Sequence, residues 1–187
     1  FEAYRPFWDE IGLRLELRRP FGHISVPIYI DERGIYDDSR LIAEHINSLG
    51  LAWDLFPSEE FASLNSLIQR AEDFAFAGRA FLTQKIEADP KALEATITFL
   101  MPKGVAPILN KFPAGVISLF NSKYKIHSKD LDGWRGLLRM HLEKMSEQYS
   151  GGPYLLAEFS YADIALATAL QFVAPVDASY VELPKGT

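Results

Sequence analysis

The sequence predicts two regions of different class: a mixed α/β region over residues 1–50 and an all-α, helical-bundle region over residues 59–187. Three observations carry this reading. The run Ser25-Val26-Pro27-Ile28-Tyr29-Ile30-Asp31 is crowded with β-branched and aromatic residues, which suit a pleated, half-buried surface. After a polar turn and the short run Gly34-Ile35-Tyr36, the period becomes helical at Leu41, Ile42, His45, Ile46 and Leu49, with Gly50 where a C′ glycine belongs. From Ser58 onward the apolar repeats keep helical spacing, punctuated by Asp89-Pro90, Pro102, Gly104 and Gly151-Gly152.

The elements follow in order. Tyr4, Phe7, Trp8 and Ile11 share a helical face, with Pro6 in the first turn and Gly12 as the stop. Leu13 to Arg18 alternates apolar and charged residues, which predicts a strand. Asp31 to Gly34 reads as a hairpin loop of about 3–5 residues, with Gly34 at positive φ. Residues 49–58 form a linker whose Trp53 and Phe56 pack into the interface between the two regions. Ser58 caps a long helix reaching about Ala88, with Phe61, Leu64, Ile68, Ala71, Ala75 and Leu82 on one stripe. Gly78 interrupts that stripe at a cost of about 1 kcal/mol against alanine, so close approach of a neighbouring element is the expected reason for it.

Asp89 caps the next helix with Pro90 at N1, and Pro107 and Pro113 divide residues 104–126 into one kinked or two short helices. Lys111, Lys123 and Lys125 give that stretch a solvated basic edge. Ser128 caps a helix striped by Leu131, Trp134, Leu138, Leu142, Met145 and Tyr149. Ahead of the last helix, Ser160 and Asp163 form a capping box, and Phe159 and Ile164 a hydrophobic staple. That helix is apolar on nearly every side, which places it in the middle of the bundle. Asp163→Ala should therefore cost on the order of 1–2 kcal/mol or more.

Composition excludes several classes of function. The 19 Lys and Arg against 25 Asp and Glu give a net charge of −6 with no basic stripe, which argues against nucleic acid as the main partner. Cysteine is absent, so disulfides, cysteine-bound metal and a thiol nucleophile of the chain's own are ruled out. His127 and His141 stand alone and read as structural, so no metal is expected. No apolar run reaches the roughly 18 residues a membrane span needs.

The chemistry concentrates at the hairpin and the helix after it. Pro27 has no N–H to donate and fits a first strand position or a cis turn. Either leaves the backbone of Val26 open to an outside partner. Ser39 opens a helix, where free N–H groups and the dipole favour an anion, and the Asp38 carboxylate can hold an ammonium. Together they suit an extended zwitterionic peptide. The same residues also suit an ordinary capped helix, with Asp38 or Ser39 as the cap.

Val-Pro, a hairpin, and then Asp-Ser-x-x-Ile-x-x-x-Ile resembles the glutathione-binding half of the glutathione S-transferase superfamily. The stretch from Tyr154 to Ile164 is similar to the family's C-terminal domain, with Ala157 in place of its usual glycine. The resemblance spans about residues 7 to 176. It implies a thioredoxin-like N-terminal domain over residues 1–50, incomplete here, and an all-α C-terminal domain over 59–187. It implies a cis Pro27, backbone pairing of Val26 with the cysteinyl part of glutathione, and Asp38 and Ser39 on the γ-glutamyl end. The long helix would wall a pocket for the second substrate, with Phe74 and Phe81 either lining it or simply core. The activity implied is attack of the glutathione thiolate on a hydrophobic electrophile, with glutathione as co-substrate, in a cytoplasmic homodimer. The family's thiol-activating residue would lie before Phe1, so the catalytic residue is not assigned. A non-catalytic binding or scaffold protein of the same shape is the alternative. A related thiol-dependent reductase or isomerase is a third possibility, but such proteins commonly place cysteine at the active position, and none is seen here.

Overall fold

A computed structural model describes residues 8–17, 26–50, 53–101, 104–126, 131–149 and 151–176, without the side chains of 8–10 and 100. The order is α1 (Trp8–Glu16), β1 (Tyr29–Asp31), β2 (Gly34–Tyr36), α2 (Ser39–Ser48), a 3-10 turn (Ser58–Glu60) and α3 (Phe61–Ala88). Then come α4 (Pro90–Leu100), α5 (Ala106–Leu109), α6 (Pro113–Tyr124), α7 (Leu131–Gln148) and α8 (Tyr161–Leu170). The chain is mostly helical with one small antiparallel sheet. That is consistent with a mixed α/β N-terminal region and a helical C-terminal region.

The N-terminal region departs from expectation in three places. The strand expected over Leu13 to Arg18 is instead the second half of α1 as far as it is described, and the helix runs through Gly12 without a break. Six residues of alternation also fit a helix whose leucines fall on two sides, and no described strand lies alongside to capture the segment. The hairpin turn is two residues, Glu32 and Arg33, and Gly34 is a strand residue without positive φ. The Asp31 carboxylate makes this turn: its Oδ1 accepts from the N–H groups of Arg33 at 2.8 Å and Gly34 at 3.1 Å. An Asx turn of this kind needs no left-handed glycine. Tyr29 pairs with Tyr36 and Asp31 with Gly34.

α3 carries the rest. It is unbroken over 28 residues, and it packs on α7 along one side and α8 along another. Its buried set, Leu64, Leu67, Ile68, Ala71, Phe74, Ala77, Gly78, Ala80 and Thr83, is wider than a single stripe for that reason. Phe61 and Leu82, expected on the stripe, are exposed, whereas Phe74 is fully buried. Gly78 has the predicted cause: a Cβ built there would lie 2.7 Å from both Cβ and Cγ of Phe172. The helix start also differs, because Ser58 begins a 3-10 turn and α3 has no side-chain cap.

Three apolar clusters result. One joins α3, α7 and α8 through Phe74, Trp134, Leu138, Met145 and Ala169. A second joins α4 to α6 through Leu93, Ile97, Val116 and Ile117. The third seats α2 and the linker on α3 and α8, with Ala43, Leu55 and Phe56 against Leu64, Ile68, Tyr161 and Ala162. Phe56 stacks on Tyr161 at 5.3 Å, as an interface residue should. Trp53 does not join it and is 69 % exposed.

The remaining helix ends follow local chemistry. Asp89 caps α4 through the N–H groups of Lys91 and Ala92, with Pro90 at the helix start. The expected division of residues 104–126 appears as α5 and α6. In α7, Trp134, Leu138 and Met145 are buried and Tyr149 is exposed, its hydroxyl donating to the Gly152 carbonyl. Ser128 and His127 lie outside the described residues. At α8 a capping box joins Ser160 and Asp163: Oδ2 of Asp163 accepts from the Ser160 N–H at 2.9 Å and lies 3.0 Å from its hydroxyl. Oδ1 reaches further back to the Leu155 N–H at 2.8 Å, so one carboxylate ties the 151–160 loop to the helix. α8 is not central as expected. Tyr161, Ala162 and Ala169 are buried, while Ile164, Ala167 and Thr168 face outward.

Candidate functional site

The hairpin and α2 form a corner over the helical region. The Val26–Pro27 bond is cis, and Val26 is exposed with no backbone–backbone hydrogen bond to another described residue. The described ladder ends with Tyr29 opposite Tyr36, so Val26 and Pro27 lead into its open end and Asp38 and Ser39 lead out of it along the chain. A bonded His–Asp pair locks the hairpin to α2. His45 is buried, its Nε2 lies 2.6 Å from Asp31 Oδ2, and its ring stacks on Tyr36 at 4.1 Å. Burial pushes the Asp31 carboxyl up, but the His45 hydrogen bond and the Arg33 and Gly34 N–H groups outweigh it and hold it below its ordinary value.

Asp38 is the N-cap of α2. Its Oδ1 accepts from the N–H groups of Arg40 at 2.9 Å and Leu41 at 3.2 Å, which leaves Oδ2 open among the described residues. Ser39 is the first helical residue and is exposed. Its Oγ lies 3.2 Å from the Tyr161 hydroxyl, across 122 positions of sequence. With Tyr161 donating, the Ser39 hydroxyl keeps its own hydrogen for an outside acceptor. Burial raises the Tyr161 hydroxyl above its ordinary value, and the Asp38 and Glu72 carboxylates add to that, so it stays protonated as a donor. Arg40 fixes α2 on α3: its Nε donates to Glu44 at 2.8 Å and its terminal nitrogen to Asn65 Oδ1 at 2.6 Å.

Below Ser39 opens a cleft of about 660 Å³ between α2, α3 and α8. Its walls are mostly apolar: Ile42 and Ile46 from α2, Ala71 and Ala75 from α3, Ile164 and Phe172 from α8 and its exit. The polar groups on it are few, among them Ser39, Glu72, Arg79 and the Tyr161 hydroxyl. Burial raises the Glu72 carboxyl, the Asp38 carboxylate raises it further, and Arg40 offsets part of this. Glu72 is thus the carboxylate on an otherwise apolar wall that also carries Arg79. Neither Phe74 nor Phe81 lines this space. Phe74 sits inside the α3–α7–α8 core with 0 % exposure, and Phe81 packs against the same core with Lys85 and Arg135 over its ring. The wall residues are instead the smaller Ala71 and Ala75 with Ile42, Ile46 and Ile164.

The sequence reading singled out Val26, Pro27, Asp38 and Ser39. It passed over Tyr161, Glu72 and Arg40, whose partners lie in other elements. Tyr161 stands beside the capping-box serine, which ties it to the start of α8, but nothing in the sequence joins it to Ser39. Among the described residues no group of three His, Asp or Glu side chains could hold a metal ion, and no helix is long and apolar enough to cross a membrane.

Residues 128–186 match a family model described as Glutathione S-transferase, C-terminal domain. Neither the curated proteins nor the solved structures contain a match.

Proposed function

From membership of the glutathione S-transferase superfamily, which the match over residues 128–186 supports, we propose that this chain binds glutathione at the hairpin corner and presents its thiolate to a hydrophobic electrophile. The observation that carries the reading is the Ser39–Tyr161 contact at 3.2 Å, which orients a hydroxyl at the start of α2 beside a carboxylate oxygen that the cap leaves open. In this reading the Val26 backbone pairs with the cysteinyl part of the tripeptide. The γ-glutamyl carboxylate takes the Ser39 hydroxyl and the start of the helix, and its ammonium takes Asp38 Oδ2 with Glu72 nearby. The apolar cleft below holds the electrophile. Thiolate attack forms the carbon–sulfur bond and expels the leaving group, with the thiol proton passing to solvent. The residue that lowers the thiol pKa is not assigned.

A second reading, a glutathione-binding or scaffold protein without turnover, rests on the same corner and differs in needing no residue to activate the thiol, none being assigned among the described residues. Retention on immobilised glutathione followed by a conjugation assay with an aromatic halide separates the two. Retention with turnover supports the enzyme, retention without turnover the binder, and no retention removes both. Ser39→Ala should weaken glutathione affinity by about 1–3 kcal/mol. It should also cost some stability, since the Tyr161 hydroxyl loses its acceptor. Unchanged affinity would place the tripeptide elsewhere. The same family reading makes the protein a cytoplasmic homodimer, for which light scattering after gel filtration is the test of assembly.

A further inference from the structure

A second concavity lies where the linker meets the loop before α8. Trp53 and Tyr154 both stand edge-on to Phe159, at 5.5 Å with an 80° interplanar angle and at 5.6 Å with 64°. In such edge-to-face contacts one ring's edge covers one face of the other, and the exposed surface of Trp53 and Tyr154 is what remains open to a ligand. The three rings, with Asp54, Ala157 and Glu158, line a pocket of about 370 Å³, within the range of about 300–1,000 Å³ usual for small-ligand sites. Among the described residues no Lys or Arg lines it.

The fold does not account for this cluster. Trp53 is 69 % exposed and Tyr154 37 % exposed. Asp54 is held in place, because its Oδ1 accepts from Asn47 Nδ2 at 3.1 Å and from the Phe56 N–H at 3.0 Å. Its second oxygen is not used by either bond. Glu158 is exposed beside Phe159. Aromatic faces attract a cation through the ring quadrupole and also accept apolar methyl groups, and the two carboxylates add a net negative field. A cation rich in N–H groups would favour the carboxylates over the rings. A methylated ammonium satisfies both kinds of wall.

We propose that Trp53, Tyr154 and Phe159, with Asp54 and Glu158, form a binding site for the trimethylammonium group of a small molecule. The site is separate from the corner around Ser39, so it stands or falls independently of glutathione binding. The probes are choline and its uncharged isostere 3,3-dimethylbutan-1-ol, titrated into the full chain. The readout is the indole N–H resonance of Trp53, identified by its loss in Trp53→Phe. Choline should give a saturable shift and the neutral alcohol should bind about 2- to 30-fold more weakly, the span expected of a cation–π contribution. Glu158→Gln, an exposed change that leaves the fold intact, should weaken choline binding and leave the alcohol unaffected. Equal binding of the two probes would overturn the cationic assignment. No saturable shift with either, in a protein of unchanged melting temperature, would overturn the site.

Discussion

Gly78→Ala tests the packing on which the cleft depends. In an ordinary helix interior the change stabilises by about 1 kcal/mol, because alanine loses less backbone entropy. Here the new methyl would lie 2.7 Å from Cβ and Cγ of Phe172 and 3.1 Å from Cδ2. Carbon atoms in contact prefer about 3.5–4.0 Å, so roughly 1 Å of displacement is needed. A side-chain rotation of Phe172 moves Cγ but not Cβ, so its backbone must shift away from α3. Overpacking of this kind costs about 1–3 kcal/mol, and a fixed Cβ belongs in the upper part of that range. The net expectation is destabilisation by about 1–2 kcal/mol. Gly136→Ala in α7 is the control, since a Cβ there meets nothing within 4 Å and should stabilise by about 1 kcal/mol. Urea unfolding of both variants should separate them by about 2–3 kcal/mol. In a Phe172→Gly background, Gly78→Ala should return to stabilising. If Gly78→Ala stabilises the parent chain as Gly136→Ala does, the close approach of Phe172 to α3 is refuted.

Asp163→Ala removes the acceptor shared by the Ser160 and Leu155 N–H groups, and should lower unfolding free energy by about 2 kcal/mol or more while glutathione affinity of the folded protein is unchanged. An unaltered melting temperature would reject that role. Glu72→Gln is expected to stabilise at neutral pH. The folded carboxyl is raised above 4.5, so the folded chain binds more protons than the unfolded one between those values, and stability falls as pH rises through that window. Melting curves of the two proteins should therefore converge below pH 4.5 and separate above it. Phe74→Leu should destabilise by about 1–1.5 kcal/mol and, under the proposed conjugation activity, leave the relative rates toward different electrophiles unchanged, because Phe74 is core and not cleft wall. A change in electrophile preference would return it to the pocket.

The sequence by itself determined what depends on neighbours in the chain. The box at Ser160 and Asp163, the proline start of α4 and the Gly50 terminus each need only residues within a few positions, and their side chains and φ preferences act locally, whereas the choice between Asp38 and Ser39 as the cap of α2 was left to the structure. Helical spacing over Leu64, Ile68 and Ala71 was legible for the same reason, and Gly78 signalled a close neighbour without naming it. Leu13 to Glu16 was misread because a short alternation is compatible with two periods, and only a partner strand would have decided between them.

Only the tertiary structure decided which elements meet. Tyr161 reaches Ser39, Arg40 reaches Asn65, His45 closes on Asp31, and Phe172 finds Gly78. It also seated Phe74 in the α3–α7–α8 core and gave the wall of the α2–α3–α8 cleft to Ala71, Ala75 and Ile164. Periodicity states that a face is apolar but not which surface covers it, since burial has no direction of its own. The corner's residues were therefore visible in one dimension, while the hydroxyl that orients them and the apolar space beneath them exist only once α2 is seated on α3 and α8.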